Sequence, residues 1–257
     1  MAHRYKWESG RRASMAGMEI KGRRVLVTGG TSGVGRALAA ELTERGARVV
    51  VCGRTAAGEG QVAADLAVAG QAERLVREAA ERLGGLDLVV ANAGVQHHER
   101  LTAGVTPGLL ERTEQEVAVN LRSVAELAAA AWPWLAASPE AAFVAVTSGL
   151  AYAPKRSAPL YCATKAGVHV LCEALRYQAR ADTPHVRVQE VVLPLVDTPM
   201  TAGRSGPVRK LSPEAAARSI ARGVERGSAV LPVGASRALL VLLRLCPPLA
   251  RRLLRDG

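Results

Sequence analysis

Short β-branched apolar runs alternate with longer Ala/Leu/Arg segments of helical period along the whole chain, and this alternation constrains the fold most. Strands are expected at Arg24–Thr28, Arg48–Cys52, Gln61–Ala64, Leu86–Ala91, Ala142–Thr147 and Arg187–Val192. Helices are expected at Gly35–Arg45, Gln71–Arg82, Gly108–Ala137 with a break, Ala158–Ala181 and from near Pro213. Runs such as Val49-Val50-Val51 are apolar at every position, so both faces of those strands are buried, as in a parallel sheet between helices. Strand–helix alternation then predicts an α/β fold, a doubly wound parallel β-sheet flanked by helices. No repeat or linker divides residues 18–257, which are expected to form a single domain. About ten residues separate the second strand from Asp65, and Gly58 and Gly60 interrupt them. A parallel crossover needs about a dozen residues, so its helix is expected to be missing or reduced to a turn.

Apolar residues make up 49% of the chain but aromatics only 3%, so Ala, Val and Leu must build the core. No apolar run approaches the roughly 18 residues of a membrane span. Residues 1–17 are basic without an apolar stretch, which reads as a disordered tail and not a secretory signal. Cys52, Cys162, Cys172 and Cys246 form no C-x-x-C pair and no ligand spacing, which fits reduced thiols in a cytoplasmic protein. His97-His98 lies on a loop without companion ligands, so no metal is expected. The formal charge of +11 invites a nucleic-acid reading, but the basic residues are scattered and no aromatic platform interleaves them. A solvated arginine-rich surface is expected, with an anionic substrate or acidic partner left open.

Thr28-Gly29-Gly30-Thr31-Ser32-Gly33-Val34-Gly35 lies between the first strand and the first helix. Glycines there let the backbone approach a pyrophosphate, and the helix start supplies unpaired N–H groups, as in Rossmann-type dinucleotide folds. A carboxylate ending the second strand would bind a ribose 2′-hydroxyl and repel a 2′-phosphate. This chain instead has Gly53 and then Arg54, whose guanidinium suits a phosphate. NADP(H) is therefore favoured over NAD(H), the alternative for Arg54 being a solvated turn residue.

Tyr161 and Lys165 stand four apart, on one face of a helix. A phenol is too weak an acid or base at neutral pH, and a nearby ammonium favours its anion. Ser148 ends the fifth strand, 13 residues before Tyr161, and Asn120 lies on the preceding helix. With the Thr-Gly-x-x-x-Gly-x-Gly spacing, these residues resemble the short-chain dehydrogenase/reductase family over about residues 20–230, and within it a DltE-like bacterial subgroup.

The resemblance implies a catalytic set of Asn120, Ser148, Tyr161 and Lys165. Ser148 and Tyr161 would bind a carbonyl oxygen, Tyr161 would donate the proton, Lys165 would tune it, and Asn120 would help hold a water. It implies cofactor contacts from Gly29, Thr31, Ser32, Gly33 and Val34, from Arg54, and from Asp65-Leu66 at the adenine. Asn92, Ala93 and Gly94, then Tyr161, Lys165 and Thr198, would complete them. Gln96, Ser148, Gly149, Leu150, Tyr152 and Leu195 would line the substrate pocket. Two departures stand out: Ala91 replaces a common Asn, and Leu193-Pro194 replaces Pro-Gly.

The partner expected is thus a small-molecule carbonyl or alcohol, with no nucleic acid. The resemblance further implies a homodimer or homotetramer paired through the helices carrying Asn120 and Tyr161, with small-residue faces at Ala128–Ala131 and Ala166–Val170. Residues 199–212 would form a substrate loop or lid, where Arg204, Arg209 and Lys210 either favour an acidic substrate or are plain solvated charges. The basic, Leu-rich tail at 236–257 is broken by Pro247-Pro248. It could pack over the pocket, join a subunit interface or touch a membrane surface. A non-catalytic NADP-binding regulator on the same fold is the competing reading.

Overall fold

A computed structural model describes residues 17–203 and 209–256. The tail expected over residues 1–17, except Gly17, lies outside the described residues, as does Arg204. Strands β1 (Arg24–Thr28), β2 (Arg48–Gly53), β3 (Gln61–Ala63), β4 (Leu88–Ala91), β5 (Ala141–Ser148), β6 (Val186–Leu193) and β7 (Val230–Pro232) form one sheet in the order β3-β2-β1-β4-β5-β6-β7. Every pairing is parallel. Between them run helices α1 (Gly33–Glu44), α2 (Gln71–Leu83), α3 (Leu109–Val117), α4 (Ser123–Ala137), α5 (Pro159–Asp182) and α6 (Pro213–Arg226). Two short helices, α7 (Ser236–Leu245) and α8 (Pro247–Arg255), follow the last strand.

The period of two along each strand divides the core into two layers. Leu26 of β1 and Val89 and Ala91 of β4 face a layer with α2, α4 and α5. Val25 and Val27, with Leu88 and Val90, face the opposite layer with α1 and α6. The only phenylalanine, Phe143, is fully buried at the centre of β5. The order reverses between β1 and β4, where the chain departs to opposite sides and leaves a crevice at the carboxyl ends of the strands.

Residues 54–60, between β2 and β3, contain turns and no helix, as their length required. Gly60, with φ +70°, returns the chain so that Val51 N–H donates to its carbonyl at 2.9 Å. The break within Gly108–Ala137 is a single π-helical turn, Ala118–Arg122, that carries Asn120. β7 was not anticipated, because three residues are too few for a periodic signal; Pro232 is tolerated there because β7 is an edge strand. No described helix is long and apolar enough to cross a membrane.

At the amino end of the crevice strands, Asp87 accepts from the Arg24 backbone N–H at 2.9 Å, from its guanidinium, and from the Ser138 hydroxyl at 2.8 Å. Burial works to raise this carboxyl's pKa, but the Arg24 and Ser138 hydrogen bonds outweigh it and hold it below the ordinary value. Asp87→Ala removes the tie between β1, β4 and the end of α4 and leaves the Arg24 guanidinium with the Gly84 carbonyl in place of a carboxylate. It should cost roughly 2–4 kcal/mol, read as a lower urea midpoint at unchanged slope.

Candidate active site

The crevice opens into a cavity of about 760 Å³ that runs from the β2 end, past the β1–α1 turn, to the ends of β5 and β6. Gly29 has φ +63°, and a Cβ there would sit 3.0 Å from the Cα of Ala93. Gly33, at φ +51°, lies against Thr198, whose Cγ2 would be 3.1 Å from an added Cβ. Gly35 allows α1 to start against the Gly29 carbonyl, only 2.1 Å from where its Cβ would be. Bare backbone, two positive φ angles and a helix start thus form a concave surface with room for a pyrophosphate. Thr28 and Asn92 hold it in place. The Thr28 hydroxyl accepts from the backbone N–H of Asn92 and of Ala93 at 3.0 and 3.1 Å, and the Asn92 side-chain amide donates to the Thr28 carbonyl at 2.9 Å.

Arg54 is exposed on the cavity wall and has no ion pair among the described residues. A Cβ at Gly53 would meet Thr31 Oγ1 at 2.5 Å, so a side chain at this β2 end would have to displace the Thr31 side chain. Asp65, beside the same wall, accepts from the Ala67 N–H at 3.0 Å.

At the other end, Ser148 closes β5, and its hydroxyl oxygen accepts the Leu150 N–H at 3.2 Å. That bond leaves the serine hydrogen available to donate into the cavity. Tyr161, partly exposed, and Lys165, buried, project from the first turns of α5. The Lys165 Nζ donates to the Val146 carbonyl at 2.9 Å and lies 5.8 Å from the centre of the Tyr161 ring. Ser148, Tyr161 and Lys165 therefore line one wall, with Gly94 between Lys165 and Asn120.

A model of the short chain dehydrogenase family matches residues 23–207. The chain belongs to that family. The uncharacterized oxidoreductase DltE of Bacillus subtilis is 37% identical over 191 residues, covering 70% of this chain and 74% of that protein. A short chain dehydrogenase from Burkholderia cenocepacia, solved with NADP, superposes with a TM-score of 0.79 at 26% identity over 93% of this chain and 100% of its own. A 3-ketoacyl-(acyl-carrier-protein) reductase from Brucella melitensis, solved with NADH, gives 0.75 at 25% identity, over 83% and 97%.

Asn120, where the family resemblance implies help in holding a water, has its side chain engaged by protein groups. It is fully buried; Oδ1 accepts the Val95 N–H at 2.8 Å, and Nδ2 donates to the Val95 carbonyl at 2.8 Å and to the Thr164 hydroxyl at 3.3 Å. Both amide hydrogens are engaged, so the side chain fixes the loop after β4 and has one lone pair left for a water.

Tyr152 requires a correction. Unlike Gln96, Gly149, Leu150 and Leu195, it does not line the cavity. Its hydroxyl bonds Glu190 at 3.1 Å and the His169 ring at 3.0 Å, beneath the β5–β6 pair. Glu190 is completely buried and also accepts from Thr147 at 2.7 Å. A buried carboxylate needs donors, and Tyr152 is one of them. Burial and the Glu190 charge raise the Tyr152 phenol well above its ordinary value. His97 is half-buried with its ring against Gln115, and no described residues form a metal-binding cluster. Cys52, Cys162 and Cys172 are buried, and burial pushes the Cys172 thiol up to about 12.

The sequence reading missed several lining residues. Leu239 and Leu242 of α7 and Leu253 and Leu254 of α8 close the cavity from above. Their i, i+3 spacing on α7 was the available signal. A second, more open cleft of about 770 Å³ lies beside α3, between Ala67, Gln115 and Arg122, and contains none of Ser148, Tyr161 and Lys165.

Burial lowers the Lys165 ammonium to about 8, so the group is still mostly protonated at neutral pH. Between pH 8 and the ordinary lysine value, the unfolded chain binds this proton and the folded one does not. Folded stability from this group therefore rises with pH across that window. Lys165→Met, without cofactor, should lack that gain, a difference on the order of 3 kcal/mol. Urea midpoints of both proteins from pH 7.5 to 10 check it; parallel curves would mean that the ammonium is solvated.

Proposed function

We propose that the chain is an NADP(H)-dependent oxidoreductase acting between a carbonyl and an alcohol, with Ser148, Tyr161 and Lys165 performing the proton chemistry. One observation carries this reading: an ionisable Tyr–Lys pair and an outward-facing serine hydroxyl share a wall of the cavity that begins at the glycine cradle. The cradle supports a dinucleotide because its backbone is bare where a pyrophosphate would sit.

When bound, the cofactor supplies or accepts the hydride. Every other function belongs to the chain. Gly29, Thr31, Ser32, Gly33 and Val34 would hold the pyrophosphate, and Asp65 with Leu66 would flank the adenine. Asn92, Ala93 and Gly94 would support the adjoining ribose, and Thr198 the carboxamide. Two Lys165 hydrogens remain beyond the one given to Val146, enough to bind the nicotinamide ribose. Ser148 donates to the substrate oxygen and orients it, and the Tyr161 hydroxyl gives the proton during reduction or takes it during oxidation. The Lys165 charge favours the phenolate left behind. Asn120 holds the loop after β4 in position.

Arg54, exposed at a β2 end that carries no acid, supports NADP(H) over NAD(H). The same reading covers a cytoplasmic homodimer or homotetramer, although Ala128 and Ala131 face the chain's own core and cannot form the contact. Val170, within the face expected on α5, is exposed, and Trp134 and Tyr177 are further exposed apolar groups on α4 and α5.

Two measurements test the function. NADPH should bind more tightly than NADH, and Arg54→Asp should reverse the order; equal affinities would contradict the role of Arg54. Tyr161→Phe should keep NADPH binding and lose about 10²–10⁴ of carbonyl turnover. Near-normal turnover would remove the mechanism.

A further inference from the structure

Resting on the oxidoreductase reading above, we propose that the substrate is a carbonyl compound with an extended apolar body, an alkyl chain or hydrocarbon ring system, which lies beneath a roof formed by α7 and α8. The roof is anchored at both ends. The Ser236 N–H donates to the Val233 carbonyl at 3.0 Å where α7 begins. At the far end, the Arg156 N–H, five residues before Tyr161, donates to the Arg255 carbonyl at 2.9 Å, and Arg156 also pairs with Asp256. Ala250, fully buried, seats the middle of α8.

Leu239 lies directly over the catalytic strand end. A Cβ on Gly149, the residue after Ser148, would be 2.7 Å from Leu239 Cδ2. With glycine here, the Leu239 side chain packs straight onto the strand end; a larger residue would push it aside. Leu242, one turn further along α7, shares that face, and Leu253 and Leu254 add to it from α8. Leu193 and Leu195 supply apolar surface below. Leu242 and Leu254 are only partly buried and Leu253 is 58% exposed, so the protein leaves apolar surface uncovered around the space that a substrate would fill. Polar lining side chains, Gln96, Gln115, Lys155, Thr198 and Thr201 among them, come from segments outside the roof, while the roof's own contribution is apolar apart from Ser236. A polyol or sugar body would find few hydrogen-bond partners under these leucines and would lose its water on binding. A hydrocarbon body gains from the same surface.

The test is a series of methyl ketones from butan-2-one to dodecan-2-one, with erythrulose as the polyol, reduced with NADPH. Matching 2-alkanols are titrated calorimetrically into the protein–NADP⁺ complex. kcat/KM and alkanol affinity should rise about two- to fourfold per methylene until the roof is spanned, the step expected for burying a CH₂ group. Leu242→Gln should flatten both series while NADPH affinity is unchanged. Leu254→Phe, which narrows the space without adding polarity, should move the plateau to shorter chains. Flat dependence on chain length, or preference for erythrulose, overturns the apolar class while turnover itself upholds the oxidoreductase. Absence of all turnover with chain-length-dependent alkanol binding would instead keep the roof and overturn the proposed function.

Discussion

Taking the Lys165 ammonium out of water is unfavourable, and the structure tolerates it only because β5 ends where the Val146 carbonyl can accept its hydrogen bond at 2.9 Å. That bond sets the height of α5 against the sheet. With α5 fixed, Tyr161 falls one turn nearer the helix start, at the cavity wall, and Ser148 follows two residues after Val146 on the strand itself. Thr164, the neighbour of Lys165, then meets the Asn120 amide, which holds Val95 and the loop after β4. A single buried charge thereby registers a helix, a strand and a loop against one another. The lowered proton affinity of Lys165 follows from the same burial.

The crevice that receives this assembly depends on β1 and β4 being locked together at both ends. Asp87 and Arg24 tie the amino ends, far from the cavity. Thr28 and Asn92 tie the carboxyl ends and give the glycine turn a firm base. Between the ties the strands are buried on both faces, so the gap opened by the change in strand order keeps its width. Beyond β6, α7 and α8 close what the sheet leaves open, and Gly149 lets Leu239 pack against the end of β5.

Local patterns made much of this legible in the sequence. Consecutive apolar residues in β2 and β4 announce a buried parallel sheet, and the glycines after β1 and the spacing of Ser148, Tyr161 and Lys165 are short-range signals. Long-range packing was not legible. Tyr152 looks like a pocket residue until Glu190, 38 positions later, is seen buried beneath it and in need of donors. Ala128 and Ala131 suit a helix–helix contact equally well with their own core or with a second subunit, and only the rotation of α4 decides between them. The tail at 236–257 offered three roles. Its contact with the loop at Arg156, about a hundred residues earlier, places it over the pocket.

In the proposed function, this chain's own wall of Ser148, Tyr161 and Lys165 serves a transfer of hydrogen between nicotinamide and carbon. The most direct test uses NADPH deuterated at C4 of the nicotinamide, on the face that the protein selects, with decan-2-one, followed by mass spectrometry of the product. The account predicts decan-2-ol with one deuterium on the carbinol carbon, formed by the native chain and suppressed in the Ser148→Ala protein. Alcohol without carbon-bound label, or the same labelled yield after Ser148→Ala, would contradict it.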